Sequence, residues 1–187
     1  MSLPNRLTLL RIGLSFLLVV LLLRPGPEAK AAALAVFVAA ALTDWWDGRI
    51  ARRRGLISDF GVLMDPIADK VLVLSAFIAF VLLRIVSRWV FLLIAAREIL
   101  ITGLRLIALA KGKVLPAEAA GKWKAALQMT AISAALLFLF FREAAPESAS
   151  LRPAETGIRT LMALVVLFTL TSGTSFLWRH WRQVLGS

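Results

Sequence analysis

Apolar residues come in long runs along this chain, and short polar stretches separate the runs. A bilayer core of about 30 Å takes about 20 mainly apolar residues to cross as a helix. Six segments meet or nearly meet that length: Leu7 to Leu23, Ala29 to about Ala51, Phe60 to Leu83, Trp89 to Ala110, Ala125 to Phe141, and Ile158 to Trp178. Backbone groups in lipid must be paired internally, so all six segments are predicted to be helices.

Composition agrees with an integral membrane protein. The chain has 187 residues, of which 60% are hydrophobic, and a soluble domain of this size does not need so much apolar sequence. We therefore predict an all-α membrane protein with six transmembrane helices in a single domain, residues 1–187. The sequence contains no cysteine, which excludes disulfides and thiolate metal sites.

The net charge of +11 has two readings, nucleic-acid binding or attraction to a membrane surface. The basic residues lie between apolar runs, which favours contact with anionic lipid head groups and argues against a nucleic-acid partner. If the N-terminus is cytoplasmic, twelve Lys and Arg residues lie on the cytoplasmic side and six lie outside. This bias predicts that both termini are cytoplasmic.

All five aspartates of the chain lie within 26 residues. Asp44 and Asp47 share one face of the second span, and Asp65 and Asp69 share one face of the third. A short basic turn joins these spans, so we expect them to be antiparallel neighbours whose four carboxylates converge. Such an all-oxygen group suits Mg²⁺, Mn²⁺ or Ca²⁺ better than zinc. Asp59 lies off both faces and is expected to be a solvated turn residue.

The depth of these acids follows from helix geometry. The apolar run Ala31 to Leu42 covers about 18 Å of helix, less than a bilayer core of about 30 Å. The carboxylates are therefore expected in the cytoplasmic third of the membrane, in a polar cavity open to the cytoplasm. Solvated loop residues are the alternative, but ionisable residues in spans are rare and usually functional.

The residues around the aspartates form a longer pattern. Asp44, Asp47, Gly48, Ala51 and Arg52 are followed after eight residues by Gly61, and then by Asp65 and Asp69 at intervals of four. This pattern resembles the signature of the CDP-alcohol phosphotransferase family at every defined position. Other stretches resemble the bacterial phosphatidylglycerophosphate synthases of that family: Pro4-Asn5 with Arg11, Asp65-Pro66 with Lys70, Arg97-Glu98, and Gly121-Lys122 with Gln128. Ala125 departs from that subgroup, where threonine is expected.

The resemblance implies a six-span enzyme, often homodimeric, that displaces CMP from a CDP-linked lipid with an alcohol. Two divalent ions, Mg²⁺ or Mn²⁺, would be held by Asp44, Asp47, Asp65 and Asp69, and Asp69 would also be the general base. The CDP-lipid would contact Gly48, Ala51, Arg52 and Gly61, although close helix packing also explains such glycines.

Likeness to the subgroup further implies the substrates and the location. CDP-diacylglycerol and glycerol 3-phosphate would give phosphatidylglycerophosphate and CMP. The enzyme would be a multi-pass protein of the bacterial inner membrane, in contact with lipid, with its active site facing the cytoplasm.

Four basic residues are candidates for binding the acceptor phosphate: Arg97, Arg105, Lys122 and Lys124. Arg97 and Arg105 lie on one face of the fourth span, and helix rise places Arg105 level with the carboxylates. A structural ion pair with an intramembrane acid explains Arg97 equally well. Ordinary positive-inside charge explains the two lysines equally well.

The sequence leaves the roles of a few residues, and two alternative functions, undecided. Asn5, Thr8 and Arg11 either line the cavity or belong to a capped interfacial helix, and His180 is expected to be a solvated interfacial residue. A sibling enzyme with phosphatidylglycerol, serine or an inositol phosphate as acceptor is an alternative. A divalent-cation transporter is another, although transporter sites usually lie at the midplane between repeats.

Overall fold

The computed structural model describes residues 3–54, 59–112 and 119–185, with side chains over 8–43, 67–112 and 121–180. In these ranges the chain forms six helices: α1 (Leu3–Leu23), α2 (Pro27–Arg54), α3 (Asp59–Leu82), α4 (Arg88–Ala110), α5 (Ala119–Ala144) and α6 (Leu151–Leu185). The six predicted helices are confirmed. Four of them, α1, α2, α5 and α6, extend by two or more residues beyond the apolar runs that predicted them.

Membrane-spanning character is clearest near the C-terminus. Among the described residues, Gly121–Ala144 (24 residues) and Leu151–His180 (30 residues) are long and apolar enough to cross a bilayer, and Thr8–Leu23 is a shorter apolar helix. Charged residues at positions 97, 98 and 105 interrupt the apolar character of α4. The number of spans therefore stays a prediction.

The helices pack around α1, α3 and α5. Helix α1 packs against both α2 and α3, α2 and α6 pack against α5, and α4 packs against α3 and α6. Over the described residues α2 and α3 contact each other only slightly, because α1 lies against both. The short α2–α3 connection predicted direct neighbours, and it could not indicate that a third helix packs against each of them.

The core is formed by apolar side chains from all six helices. Leu18, Phe37, Phe77, Phe80 and Leu136 are all at most 2% exposed. The rings of Phe77 and Phe80 meet edge to face with centroids 6.1 Å apart, an arrangement that aromatic pairs favour.

Many large apolar side chains also lie on the outside of the bundle. Phe16 and Ile99 are 65% exposed and Trp178 is 90% exposed. A soluble monomer rarely exposes so much contiguous apolar surface, whereas lipid solvates it without cost. The exposed surface therefore agrees with a protein that lies in a membrane.

The α1–α2 turn is held by a buried lysine. Gly26 adopts φ +98°, a conformation that side-chain-bearing residues rarely adopt. The Lys30 ammonium is 2% exposed and donates to the carbonyls of Leu22 and Arg24 at the end of α1. Glu143 at the end of α5 accepts from the Gly26 amide at 3.1 Å and lies 3.8 Å from Lys30. These contacts satisfy helix-end carbonyls and tie three helices together.

Candidate active site

Asp69 lies on α3 with its carboxylate against a buried arginine from α1. The Nη1 atom of Arg11 donates to Oδ1 of Asp69 at 2.6 Å. Arg11 is 1% exposed, whereas the Asp69 side chain is 41% exposed. Thr8, one turn before Arg11, is fully buried. Arg11 is therefore buried against an aspartate of the motif, and the lining of a cavity by Arg11 stays a prediction.

A second buried carboxylate lies on α4. Glu98 is 1% exposed, and its Oε2 atom is 2.9 Å from the Lys70 ammonium on α3. Its Oε1 atom is 3.3 Å from Nη1 of Arg97 and also pairs with the Lys124 ammonium on α5. We call these four residues the Glu98 cluster. One acid thus joins cations from three helices, and Lys70 is the chain neighbour of Asp69.

Arg97 extends the Glu98 cluster to α6. Its Nη2 atom donates to the Ser172 hydroxyl at 3.3 Å. Gly173 leaves the space for this side chain, because a Cβ atom there would lie 2.9 Å from Cγ of Arg97. The ion pair with Glu98 confirms the contact that one of the two readings of Arg97 predicted. Binding of the acceptor phosphate by Arg97 stays a prediction.

Arg105 lies two turns further along α4 and contacts a different part of α6. Its guanidinium lies over the Phe176 ring, 5.2 Å from the ring centroid. Phe176 in turn stacks on His180 with centroids 4.5 Å apart. His180 is only 8% exposed, so the expectation of a solvated residue was wrong. Helix α6 contacts α4 at Phe176, which sequence alone does not indicate.

The two lysines predicted for the acceptor site lie in different environments. Lys124 is 3% exposed and belongs to the Glu98 cluster, whereas Lys122 is exposed. Lys124 has therefore lost water and gained a buried carboxylate, which solvated positive-inside charge would not do. For Lys122, binding of the acceptor phosphate and ordinary positive-inside charge both stay predictions.

Two residues of this site received no role from sequence reasoning, Lys70 and Glu98, and Arg11 was left with two open readings. Glu98 could have been noticed as a carboxylate in the middle of an apolar run, where an ionisable residue is a functional candidate by default. Lys70 directly follows the last aspartate of the motif. Their partners, however, are distant in the chain, and helix periodicity does not identify them.

Most of the predicted metal and CDP-lipid residues lie on the expected helices, but their side chains are outside the described residues. Asp44, Asp47, Gly48, Ala51 and Arg52 belong to α2, and Gly61 and Asp65 belong to α3. Among the described side chains there is no group of three or more potential metal ligands. Asp69 is the described member of the set, and its part-exposed carboxylate has the oxygen chemistry that Mg²⁺ and Mn²⁺ prefer.

Comparison with known proteins adds the decisive observation. A family model described as CDP-alcohol phosphatidyltransferase matches residues 1–184. The chain belongs to the CDP-alcohol phosphatidyltransferase family. Membership makes it a phosphatidyltransferase, an enzyme of phospholipid synthesis, and confirms the resemblance seen in the motif.

Curated relatives of the family cover most of the chain. A Bacillus subtilis protein named CDP-diacylglycerol–glycerol-3-phosphate 3-phosphatidyltransferase is 34% identical over 98% of this chain and 97% of its own length. A Mycobacterium tuberculosis protein named probable phosphatidylglycerophosphate synthase is 37% identical over 99% of this chain and 84% of its own. A rice protein named cardiolipin synthase (CMP-forming) is 38% identical over 71% of this chain and 45% of its own.

Proposed function

We propose that this phosphatidyltransferase moves the phosphatidyl group of CDP-diacylglycerol to glycerol 3-phosphate, giving phosphatidylglycerophosphate and CMP. The observation that carries the proposal is the nearly end-to-end likeness to the Bacillus subtilis enzyme of that name. The Glu98 cluster supports it, because three cations around one acid offer an anionic acceptor a binding site.

The chemistry is an in-line displacement at phosphorus. A hydroxyl oxygen of glycerol 3-phosphate attacks the phosphatidyl phosphorus, the bond from that phosphorus to the bridging oxygen breaks, and CMP leaves with the electron pair. Asp69 takes the hydroxyl proton. Arg11 holds the Asp69 carboxylate from the buried side at 2.6 Å, which limits the directions in which it can accept a proton.

The motif residues complete the proposal. Asp44, Asp47, Asp65 and Asp69 would hold two divalent ions, Mg²⁺ or Mn²⁺, and these ions would supply positive charge opposite the pyrophosphate of the CDP-lipid. Small residues at Gly48, Ala51 and Gly61 would let the CDP-lipid approach the helix backbone, and Arg52 would contact its phosphate. Arg97, Arg105, Lys122 and Lys124 would contact the acceptor.

The membrane arrangement belongs to the same proposal. Six spans with both termini in the cytoplasm would place the cavity near the cytoplasmic face of a bacterial inner membrane, where soluble glycerol 3-phosphate reaches it. The bacterial relatives and the exposed apolar side chains support this location. A homodimer stays a prediction.

The test is release of CMP from labelled CDP-diacylglycerol by the purified protein with Mg²⁺ or Mn²⁺ and a panel of acceptors. We expect release with glycerol 3-phosphate and little with serine, an inositol phosphate or phosphatidylglycerol. Release with phosphatidylglycerol instead would assign the activity that the rice relative's name describes. Absence of CMP with every acceptor would contradict the proposed reaction.

The role of Asp69 has its own test. Asp69→Asn keeps the shape of the side chain but removes the base, so turnover should fall by about 10²-fold or more. The thermal unfolding temperature should also fall, because the buried Arg11 loses a charged partner, so turnover is compared per amount of folded protein. Turnover equal to that of the unchanged protein would remove Asp69 from the mechanism.

A further inference from the structure

The Glu98 cluster carries an excess of positive charge. With its four side chains ionised, three cations surround one carboxylate, which leaves a net charge of +2. The neighbouring pair of Arg11 and Asp69 adds no net charge. Cations removed from water are costly unless an anion pairs with them. The cluster therefore suits a ligand that brings about two negative charges.

Unpartnered donors point to the same kind of ligand. Within the part of the chain that the structure describes, Nε of Arg97 and Nε2 of Gln128 are buried and have no hydrogen-bond partner. Gln128 is 2% exposed and lies one turn after Lys124 on α5. Buried donors are normally satisfied, so a ligand rich in acceptor oxygens would complete the hydrogen bonding here.

Exposure differs among the cations in a way that indicates where the ligand binds. The Lys124 side chain is 4% exposed, Arg97 is 13% exposed and Lys70 is 34% exposed. Lys70 is thus the cation of the cluster that is most open to an incoming molecule. It directly follows Asp69 on α3.

We propose that Glu98 is a positioning residue of the acceptor site and that Lys70 is a binding residue for the acceptor's phosphate. This inference rests on the proposed function and refines it. The Glu98 carboxylate holds the three cations together, and it lowers their combined charge to a value that matches a phosphate monoester. Such a group carries about −1.5 to −2 charges at neutral pH.

Charge matching also favours one class of acceptor. Glycerol 3-phosphate and inositol phosphates are phosphate monoesters, whereas phosphatidylglycerol is a phosphodiester with one negative charge and serine has no net charge. A net positive cluster pairs more strongly with a doubly charged monoester than with either of the other two classes. Without Glu98, three cations would repel one another and the Lys124 ammonium would lack its buried partner.

The experiment compares the unchanged protein with Glu98→Gln, Glu98→Asp and the control Glu155→Gln. Glu155 makes an exposed ion pair with Arg159 on α6 at 2.7 Å, so the control removes an acid of the same kind away from the site. For each protein we would measure the KM for glycerol 3-phosphate, the KM for CDP-diacylglycerol, kcat and the thermal unfolding temperature.

We expect Glu98→Gln to raise the KM for glycerol 3-phosphate about tenfold or more, as loss of a charged hydrogen-bond partner does. The KM for CDP-diacylglycerol should change less than about twofold, and Glu98→Asp should be intermediate because it keeps the charge on a shorter side chain. The control should match the unchanged protein. Lys70→Met should raise the same KM with no such effect on CDP-diacylglycerol.

A different pattern would overturn the inference. If Glu98 is only structural, its variants lose stability and active fraction while both KM values stay unchanged. If Glu98→Gln does not fold, the KM values of Glu98→Asp for the two substrates distinguish a positioning role from a structural one. An unchanged protein that uses serine or phosphatidylglycerol instead contradicts the charge matching, whereas one that releases no CMP with any acceptor contradicts the proposed function itself.

Discussion

Arg11 precedes Asp69 by 58 positions, yet their side chains are 2.6 Å apart. The guanidinium is buried, so the pair is shielded from water on the Arg11 side and open on the Asp69 side. A buried arginine that loses its acid would be an uncompensated charge, which is costly. We infer that Arg11 orients the carboxylate on which the proposed proton transfer depends.

Arg11→Gln is expected to lower kcat about tenfold or more, because Asp69 loses the charged donor that holds it. Arg11→Lys should recover part of the loss, since it keeps a positive charge without the planar fork of arginine. CMP release by each variant is the measurement. Arg24→Gln is the control, because Arg24 is exposed just past the end of α1. Equal activity of Arg11→Gln and the unchanged protein would contradict the inference.

At the scale of elements, α4 and α6 pack side by side and run in the same direction. Arg97 meets Ser172 and Gly173, and eight residues later Arg105 meets Phe176. Small residues let helices approach closely in membranes, and Gly173 does so where Arg97 crosses. The hydroxyl of Ser172 and the space at Gly173 therefore help to hold the Arg97 side chain beside Glu98.

Gly173→Ala tests this packing against Gly157→Ala on the same helix. A Cβ atom at position 173 would press on Cγ of Arg97, whereas nothing lies within 4 Å of a Cβ atom at position 157. We expect the first variant to lose about 1–3 kcal/mol of unfolding free energy and to raise the KM for glycerol 3-phosphate. The second should be neutral or slightly more stable. Identical behaviour of the two variants in unfolding and kinetics would refute the packing argument.

At the scale of the whole molecule, two polar groups lie near opposite ends of α5. Lys124 belongs to the Glu98 cluster, and Glu143 belongs to the α1–α2 turn with Lys30. The 19 positions from Lys124 to Glu143 correspond to about 28 Å of helix, close to a bilayer core of about 30 Å. The Glu98 cluster would therefore lie towards one membrane surface, together with the proposed active site. The group of Lys30 and Glu143 would lie at the opposite surface.

The proposed topology can be tested with single cysteines, because the natural chain has none. Ser87 and Ser148 lie in the α3–α4 and α5–α6 connections, and Lys111 follows the end of α4; all three are exposed. We expect a membrane-impermeant maleimide to label Ser87→Cys and Ser148→Cys in intact spheroplasts. Lys111→Cys should be labelled only after the membrane is opened. The opposite pattern would reverse the orientation, and labelling of all three in intact spheroplasts would contradict it.

What the sequence determined by itself is local. Apolar runs predicted the six helices, since each run reports the burial or lipid contact of its own segment. The aspartate pattern spans 26 residues on two successive helices, so fixed spacing was enough to indicate the family. The same spacing identified Asp69 as a candidate, whereas Arg97 and Lys124 were candidates as basic residues for the acceptor phosphate.

What only the tertiary structure decided is which residues meet. Helix periodicity defines the face on which a side chain lies, but it does not define which helix packs against that face. The contact of Arg11 with Asp69 depends on α1 packing against α3, and that of Glu98 with Lys70 depends on α4 packing against α3. The Lys124 side chain reaches Glu98 from α5, although α4 and α5 do not pack against each other over the described residues. Burial also distinguishes Lys124 from Lys122, for which the sequence allowed the same two roles. Lys124 faces the interior of the bundle, whereas Lys122 is exposed.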